Sequence, residues 1–236
     1  MRHSGQLARP YSGDSPFLYQ PRVSLSQAQI CGARVIGSPD TPETYRTLLR
    51  DIALINRASL PLSISVSLPA MKLMDSAIAH QLLLTVKSGQ MRKRQLEVLL
   101  RDSHLAPDQS AFSARLQRLE EAGIKILLED FGSAYASLDT LTTLPFSGVS
   151  ISQAITSLHQ TQGKGMLVLQ STVHMARSMG LDVIACGVQD THGFGSLARL
   201  GCQKLEGDWI SPPLTLTDFL TFAQSDKRWG GMEHAA

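Results

Sequence analysis

The sequence predicts an α/β fold in which a parallel sheet closes into a barrel. Strand-like and helix-like segments alternate roughly every 25 to 35 residues, which is typical of βαβ units and hence of parallel strands. The chain has 236 residues, a length common among α/β barrels, and contains enough such units to close one. The first two strands are predicted to pair as a hairpin, so the barrel is expected to start with an irregular, partly antiparallel pair.

The predicted strands are short apolar or alternating segments. The third shows the strictest alternation of apolar residues and serine, from Leu62 to Leu68, which is typical of a half-buried strand. The strands are predicted at Phe17–Val23, Gln27–Val35, Leu62–Leu68, Gln95–Leu100, Ile124–Leu128, Gly148–Ile151 and Asp182–Ala185.

The predicted helices follow these strands. The first carries apolar residues at helical spacing, and glycine directly follows three of the others, where a helix commonly ends. The helices are predicted over residues 41–57, 70–89, 106–122, 137–143, 165–179, 191–200 and 217–224.

A single domain is expected between two polar ends. We predict a flexible N-terminal tail over residues 1–15, a barrel over 16–225 and a flexible C-terminal tail over 226–236, because both ends lack apolar periodicity. No internal repeat and no long linker divides the barrel.

Composition excludes several classes of protein. The net charge of +2 is too small to indicate nucleic-acid binding, and no apolar run approaches the roughly 20 residues of a membrane helix. The N-terminus does not resemble a secretory signal. Cys31, Cys186 and Cys202 match neither a zinc motif nor a disulfide framework, so a reducing, cytoplasmic location is expected. The seven histidines are scattered and form no metal-ligand pattern: His3, His80, His104, His159, His174, His192 and His234.

Two adjacent carboxylates follow an apolar strand. Glu129 and Asp130 come directly after Leu127-Leu128, and Phe131-Gly132 then turns the chain. Paired acids at a strand end are suited to binding a divalent cation or to general-base catalysis. Their usual partners are further acids and amides on neighbouring strand ends.

Five segments in register resemble the EAL domain, the bacterial module that hydrolyses cyclic di-GMP. Each segment alone is a weak signal, but their order and spacing together are specific, and the resemblance extends from about residue 17 to residue 224. It implies a TIM-barrel-like EAL fold. The segments are Leu18–Pro21, Glu129–Gly132 with Tyr135–Leu138, Leu144-Pro145, Ala176–Val188, and Leu200–Gly207 with Pro212–Leu214.

The positions that carry chemistry in this family differ here. The Glu-Ala-Leu segment that names the family, whose Glu binds metal, is Arg34-Val35-Ile36, and the Arg shortly after it is Ser38. The Asn that the family has at the end of the next strand corresponds to Ser67 in this chain. The family's next metal-binding Glu corresponds to Leu99, with Glu97 and Asp102 nearby. The remaining departures are Ser150 for the catalytic Lys, Ser152 for an Asp, Cys186 and Gln189 for two Glu residues, and Glu206 for the late Gln.

These departures predict a degenerate, catalytically inactive domain. Two divalent ions need several shared anionic oxygens, whereas Arg34 places a permanent positive charge at a ligand position. It is expected to repel a cation and to pair with one of the two adjacent acids, Glu129 or Asp130. No metal site and no cofactor are therefore expected, with Glu129 and Asp130 as residual ligands if one Mg²⁺ is retained.

Three functional hypotheses follow. The first is a non-catalytic regulator that binds an unidentified protein partner, with a homodimer also possible. The second is a receptor that binds cyclic di-GMP without hydrolysing it, and the third is a residual phosphodiesterase that would need Glu97, Asp102 or Glu206 as replacement ligands. For a receptor, the ligand-binding residues expected from the resemblance are Gln20, Asp130, Phe146 and Gly187, with Arg34 and Glu206 as further candidates at positions that depart from the family.

Overall fold

The protein folds as an eight-stranded closed barrel surrounded by helices. The structure, a computed structural model, describes residues 15–58, 60–89, 91–101, 108–132 and 138–225. The strands follow one another around the barrel in sequence order, and β8 pairs with β1 to close it. The strands are β1 Leu18–Ser24, β2 Gln29–Ile36, β3 Ser63–Pro69, β4 Leu96–Arg101, β5 Lys125–Phe131, β6 Gly148–Ile151, β7 Asp182–Ala185 and β8 Lys204–Glu206.

Strand direction confirms the predicted hairpin. Strand β1 is antiparallel to both of its neighbours, β2 and β8, whereas every other neighbouring pair is parallel. The carboxyl ends of β2 to β8 therefore meet the start of β1 at one end of the barrel, which we call the mouth.

The helices largely confirm the sequence predictions. The segment predicted as one helix over 70–89 is broken at Asp75, whose carboxylate accepts a hydrogen bond from the Ala77 N–H at 2.8 Å and caps a new helix. A short helix and a 3-10 turn, Ser157–Gln160, after β6 were not predicted. The helices are α1 Pro42–Arg57, α2 Ala70–Met74, α3 Ser76–Lys87, α4 Gln109–Glu121, α5 Leu138–Thr143, α6 Gln153–Thr156, α7 Lys164–Ser178, α8 Thr191–Arg199 and α9 Leu216–Gln224.

Most of the apolar core lies between the strands and the surrounding helices. Leu48, Ile52 and Ile55 of α1 pack in one cluster with Val66 and Val98 of the strands. The outward positions of the strands are thus apolar, which leaves the inward positions available for the polar side chains described below.

The predicted tails fall almost entirely outside the described residues. Ser15, assigned to the N-terminal tail, belongs to the folded part, because its hydroxyl donates a 2.5 Å hydrogen bond to the buried Asp51 carboxylate. Asp102 and the residues that follow the paired-acid turn, 133–137 with Tyr135, also lie outside the described ranges. None of the described helices has the length and hydrophobicity needed to cross a bilayer.

Candidate ligand site at the mouth of the barrel

Inward-facing charges from five strands meet below and at the mouth of the barrel. They form an interior ion-pair network, which consists of Arg22 on β1, Arg34 on β2, Glu97 on β4, Glu129 on β5 and Glu206 on β8. All three carboxylates are buried, and Arg22 is fully buried. Because buried charges are costly unless paired, the arrangement of these five residues determines the chemistry of the site.

Arg22 forms the lower part of the network. Its guanidinium lies 2.6 Å from Glu97 Oε2 and 2.9 Å from Glu206 Oε2, so it joins β4 and β8 through the barrel interior. The Ser65 hydroxyl donates a further hydrogen bond, 2.5 Å long, to Glu97 Oε2. Lys204 lies 3.6 Å from the other oxygen of Glu97.

These contacts determine the protonation states of the buried acids. Burial alone would raise the pKa of Glu97, but Arg22 and Lys204 hold it at about 2. Burial also acts to raise the pKa of Glu206, and Arg22 and Arg34 nevertheless hold it below its ordinary value. Both acids are therefore carboxylates at neutral pH.

Arg34 forms the upper part of the network, at the mouth. Its guanidinium donates to Glu129 Oε1 and lies 3.5 Å from Glu206 Oε1. Burial acts to lower the pKa of Arg34, but Cys186, Glu206 and Glu129 raise it above its usual value. The structure thus confirms the expected ion pair of Arg34 with one of the paired acids, Glu129, and adds a contact with Glu206, whereas no ion pair with Asp130 forms among the described residues.

The second oxygen of Glu129 is also occupied. Glu129 Oε2 accepts hydrogen bonds from the Ser67 hydroxyl and, at 3.2 Å, from Arg101 Nε. Arg101 also donates a 2.6 Å hydrogen bond to Ser67, and its side chain is 52% exposed at the end of β4. Two arginines and a serine therefore surround the first acid of the pair.

Asp130 adopts a different conformation from its neighbour. It is half-buried and has a φ of +54°, in the left-handed region that non-glycine residues rarely adopt. Within the described residues its carboxylate forms no ion pair. A register shift in the β5–β6 pairing accompanies this conformation, and β5 extends through Phe131, beyond the end predicted at Leu128.

Leu99 and Cys186 form an apolar patch inside the barrel. With Leu127 and Ile184 they form a buried cluster separate from the two larger ones. Burial raises the pKa of Cys186 above its usual value. Its thiol lies 2.9 Å from the Ser150 hydroxyl and 3.1 Å from Glu206 Oε1, so the expected buried thiol also has polar contacts.

The strand register determines which β4 residue faces the mouth. Leu99 pairs with Ser67 and with Leu127, whereas Glu97 pairs with Ser65, one inward position further from the mouth. Leu99, and not Glu97, therefore lies at the inward position nearest the mouth. Glu97 lies below it and pairs with Arg22.

The other predicted ligand residues lie around the mouth. Gln20 is opposite Arg34 in the β1–β2 pair and donates a 2.5 Å hydrogen bond to the Ser211 carbonyl. Phe146 is partly buried and packs against both large clusters. Gly187 has a φ of +75°, and a Cβ there would lie 2.4 Å from the Gln153 side chain, so glycine is required.

Sequence reasoning missed two groups of residues. Arg22 was not singled out, although a charged residue at an inward position of an apolar strand was an available signal. The histidines form no ligand pattern in the sequence, yet the fold brings His159, Asp190 and His192 together. The separation of His159 from the other two in sequence explains why spacing alone did not reveal this cluster.

Comparisons with known proteins agree with this fold. The sequence profile of the family described as "EAL domain" matches residues 44–213. The chain is 24% identical to the cyclic di-GMP phosphodiesterase RocR of Pseudomonas aeruginosa, over 89% of this chain and 60% of RocR. Eight curated relatives are matched over 14% to 60% of their own length.

Solved structures show the same architecture. The EAL domain of Mycobacterium smegmatis DcpA superposes with a TM-score of 0.83 at 17% identity, over 93% of this chain and 99% of that one. The EAL domain of FimX from Pseudomonas aeruginosa, solved bound to cyclic di-GMP, superposes with a TM-score of 0.68 at 14% identity, over 85% and 91%. Because the family profile covers well over half of a chain that folds as this barrel, the protein belongs to the EAL domain family of cyclic di-GMP signalling.

Proposed function

We propose that this protein is a non-catalytic EAL domain that regulates cyclic di-GMP signalling by binding a protein partner. The observation that carries the proposal is the position of Arg34. Its guanidinium pairs with the buried Glu129 and Glu206 carboxylates, at the position where the resemblance implies a metal-binding Glu.

The donor set around the mouth does not fit Mg²⁺. Each oxygen of Glu129 and of Glu206 already contacts a cation, a hydroxyl or a thiol. Hard divalent cations need several free oxygen ligands, and Arg34 would stand within a few ångströms of any ion bound there. We therefore propose no metal-dependent step for this chain.

The catalytic positions of the family carry neutral side chains here. By the resemblance, Ser150 corresponds to the family Lys, and Leu99 and Cys186 correspond to two acids; here all three are buried. Burial raises the pKa of the Cys186 thiol, so none of the three side chains supplies the charge that a Lys or Glu would supply at neutral pH. This supports a role in binding.

A groove between α1 and α3 is the surface that best fits a partner. Its floor includes Leu49 and Leu84, the second of which is 51% exposed, and Arg46, Arg50 and Arg57 of α1 line one side. Among the described residues that line it, none is acidic. An apolar floor with several arginines is complementary to an amphipathic, acidic segment of another protein.

Charge reversal in the groove tests the partner-binding role. We expect affinity capture from extracts of the source organism to recover a partner whose binding is insensitive to cyclic di-GMP. The Arg46→Glu/Arg57→Glu variant should lose that partner, whereas Arg118→Glu, an exposed reversal on α4, should keep it. Equal capture by the wild type and the groove variant would contradict the proposed surface.

One observation favours a second function, a receptor for cyclic di-GMP. Arg101 and Arg34 both lie at the mouth, and Arg101 is half exposed, so a phosphate could exchange for the Glu129 carboxylate. Calorimetric titration with cyclic di-GMP, with and without Mg²⁺, distinguishes the two functions. Saturable, metal-independent binding that Arg101→Ala weakens would establish the receptor, and no heat up to high micromolar nucleotide would leave only the partner-binding role.

A further inference from the structure

Three potential metal ligands meet beside the mouth, outside the ion-pair network. His159 lies in the 3-10 turn after β6, Asp190 caps the start of α8, and His192 lies in the first turn of that helix. One ligand atom from each residue lies within 4.8 Å of the other two. The cluster therefore joins the loop that follows β6 to the loop that follows β7.

His159 presents an unpaired nitrogen to this cluster. Its Nδ1 lies 2.8 Å from the Thr156 carbonyl oxygen, which can only accept, so Nδ1 carries the proton. In the neutral ring, Nε2 then carries a lone pair. The side chain is only 6% exposed, and within the described part of the chain Nε2 has no hydrogen-bond partner. A buried acceptor without a partner is costly, and a bound ligand would remove that cost.

The residues around His159 Nε2 leave room for a ligand. Asp190 Oδ1 lies 3.9 Å from His159 Nε2, too far for a hydrogen bond, and it accepts a 2.6 Å hydrogen bond from the Gly193 N–H. A Cβ at Gly193 would lie 3.0 Å from Nε2 and 3.2 Å from Asp190 Oδ1. Glycine at this position thus keeps the space between the two ligand atoms open.

His192 completes the set from the solvent side. It is exposed, and its ring centroid lies 5.5 Å from that of His159. Zn–N and Zn–O bonds of about 2.0–2.2 Å place ligand atoms about 3–4 Å apart, which a small rotation of an exposed side chain can achieve.

We propose that His159, Asp190 and His192 form a binding site for a divalent transition metal of the zinc class. Two neutral imidazoles and one carboxylate are a common zinc ligand set, and such a set leaves a fourth position for water. The second imidazole nitrogen of His159 is already held by a backbone carbonyl, as in established zinc sites. The bound ion would link the two loops at the edge of the mouth.

Titration of the full chain with Zn²⁺ and Co²⁺ tests this site. We expect one equivalent of Zn²⁺ to bind, and Co²⁺ to give visible d–d absorption without a thiolate charge-transfer band. The melting temperature should rise by roughly 5–10 °C at a hundredfold excess over Kd. No binding, or a cobalt–thiolate band that places the metal on cysteine, would overturn the proposal.

Matched variants separate this site from adventitious binding to other histidines. His192→Ala removes an exposed ligand without disturbing the core, and it should weaken binding more than about tenfold. Asp190→Asn retains a side chain that can cap α8 and should also weaken binding. His174→Ala, on α7 and outside the cluster, should bind as the wild type does. Unchanged affinity in His192→Ala would overturn the assignment.

Discussion

Glu97 shows at the scale of one residue how a buried acid becomes part of a barrel's structure. It contacts Arg22, Ser65 and Lys204, and its pKa is about 2 against a usual 4.5. A family member that binds metal needs acids that are free to coordinate it, whereas Glu97 is already paired with Arg22 and Lys204.

Replacing Glu97 is expected to cost much of the protein's stability. Glu97→Gln removes the charge opposite Arg22 and leaves that guanidinium buried with less compensation, at a cost of about 3–5 kcal/mol. Urea unfolding measures the change, with the exposed Glu120→Gln as a control that should change stability by less than about 0.5 kcal/mol. A loss below about 1 kcal/mol for Glu97→Gln would contradict the assigned ion pair.

The lowered pKa of Glu97 also predicts a pH dependence. An acid with a lowered pKa in the folded state stabilises the fold above its unfolded value, near 4.5, and that contribution is lost as the pH falls towards 2. The lowering of the Glu97 pKa from 4.5 to about 2 corresponds to about 3 kcal/mol of folding free energy. Unfolding free energies measured between pH 5 and pH 2.5 should fall more steeply for the wild type than for Glu97→Gln. Parallel curves would contradict the prediction.

Arg34 is the residue that most directly opposes metal binding. Arg34→Glu should place a third carboxylate beside Glu129 and Glu206, and their mutual repulsion favours a divalent cation. We expect Mg²⁺ or Mn²⁺ to raise the melting temperature of this variant and not that of the wild type. Arg34→Gln removes the positive charge without adding an acid and serves as the control. An equal rise in the wild type would show that the wild-type mouth binds metal.

At the scale of elements, α1 illustrates how local sequence sets a boundary. Thr41 and Thr44 form a reciprocal capping box at its start, and Pro42 occupies the first turn. Its apolar positions then pack on the barrel, while Arg46, Arg50 and Arg57 are left to line the groove.

Removing the Thr41 cap should destabilise the domain modestly. Thr41→Ala deletes the side-chain acceptor for the Thr44 N–H, which should cost about 1 kcal/mol. Thr47→Ala, on the same helix, removes only a hydroxyl that donates to the Glu43 carbonyl and should cost less. Chemical denaturation of both variants makes the comparison, and equal losses would contradict a special role for the cap.

Most elements could be predicted because their signals are local. Apolar periodicity and helix-ending glycines predicted the seven strands up to β7 and most helices to within a few residues. The break at Asp75 was missed because apolar residues continue on both sides of it. The extension of β5 through Phe131 was missed because Asp130 needs a left-handed backbone conformation that the sequence does not reveal.

The candidate site could be predicted only in part. Its residues lie at or near the ends of strands, which the sequence predicts, so Arg34, Glu129 and Glu206 could be identified as candidates from the sequence. Which of the two adjacent acids Arg34 contacts depends on side-chain reach across the barrel, which the sequence does not reveal, and here Glu129 is the partner. Likewise, His159 becomes notable only once the loops after β6 and β7 meet.

At the scale of the whole molecule, the closed barrel brings charged side chains from distant strands together in its interior. Antiparallel β1 brings Arg22 against Glu206 and Glu97, so the same charges that would attract metal instead hold opposite walls together. Under the proposed function, the groove between α1 and α3 is the surface that would contact another protein.

A hydrolysis assay most directly tests the proposal that this chain does not cleave cyclic di-GMP. The purified chain is incubated overnight with cyclic di-GMP and Mg²⁺ or Mn²⁺, with RocR as the active control, and the linear product is quantified by chromatography. We expect no linear product above the protein-free blank under conditions in which RocR converts the substrate. Product that forms with the wild type and disappears in Glu129→Gln would contradict the account.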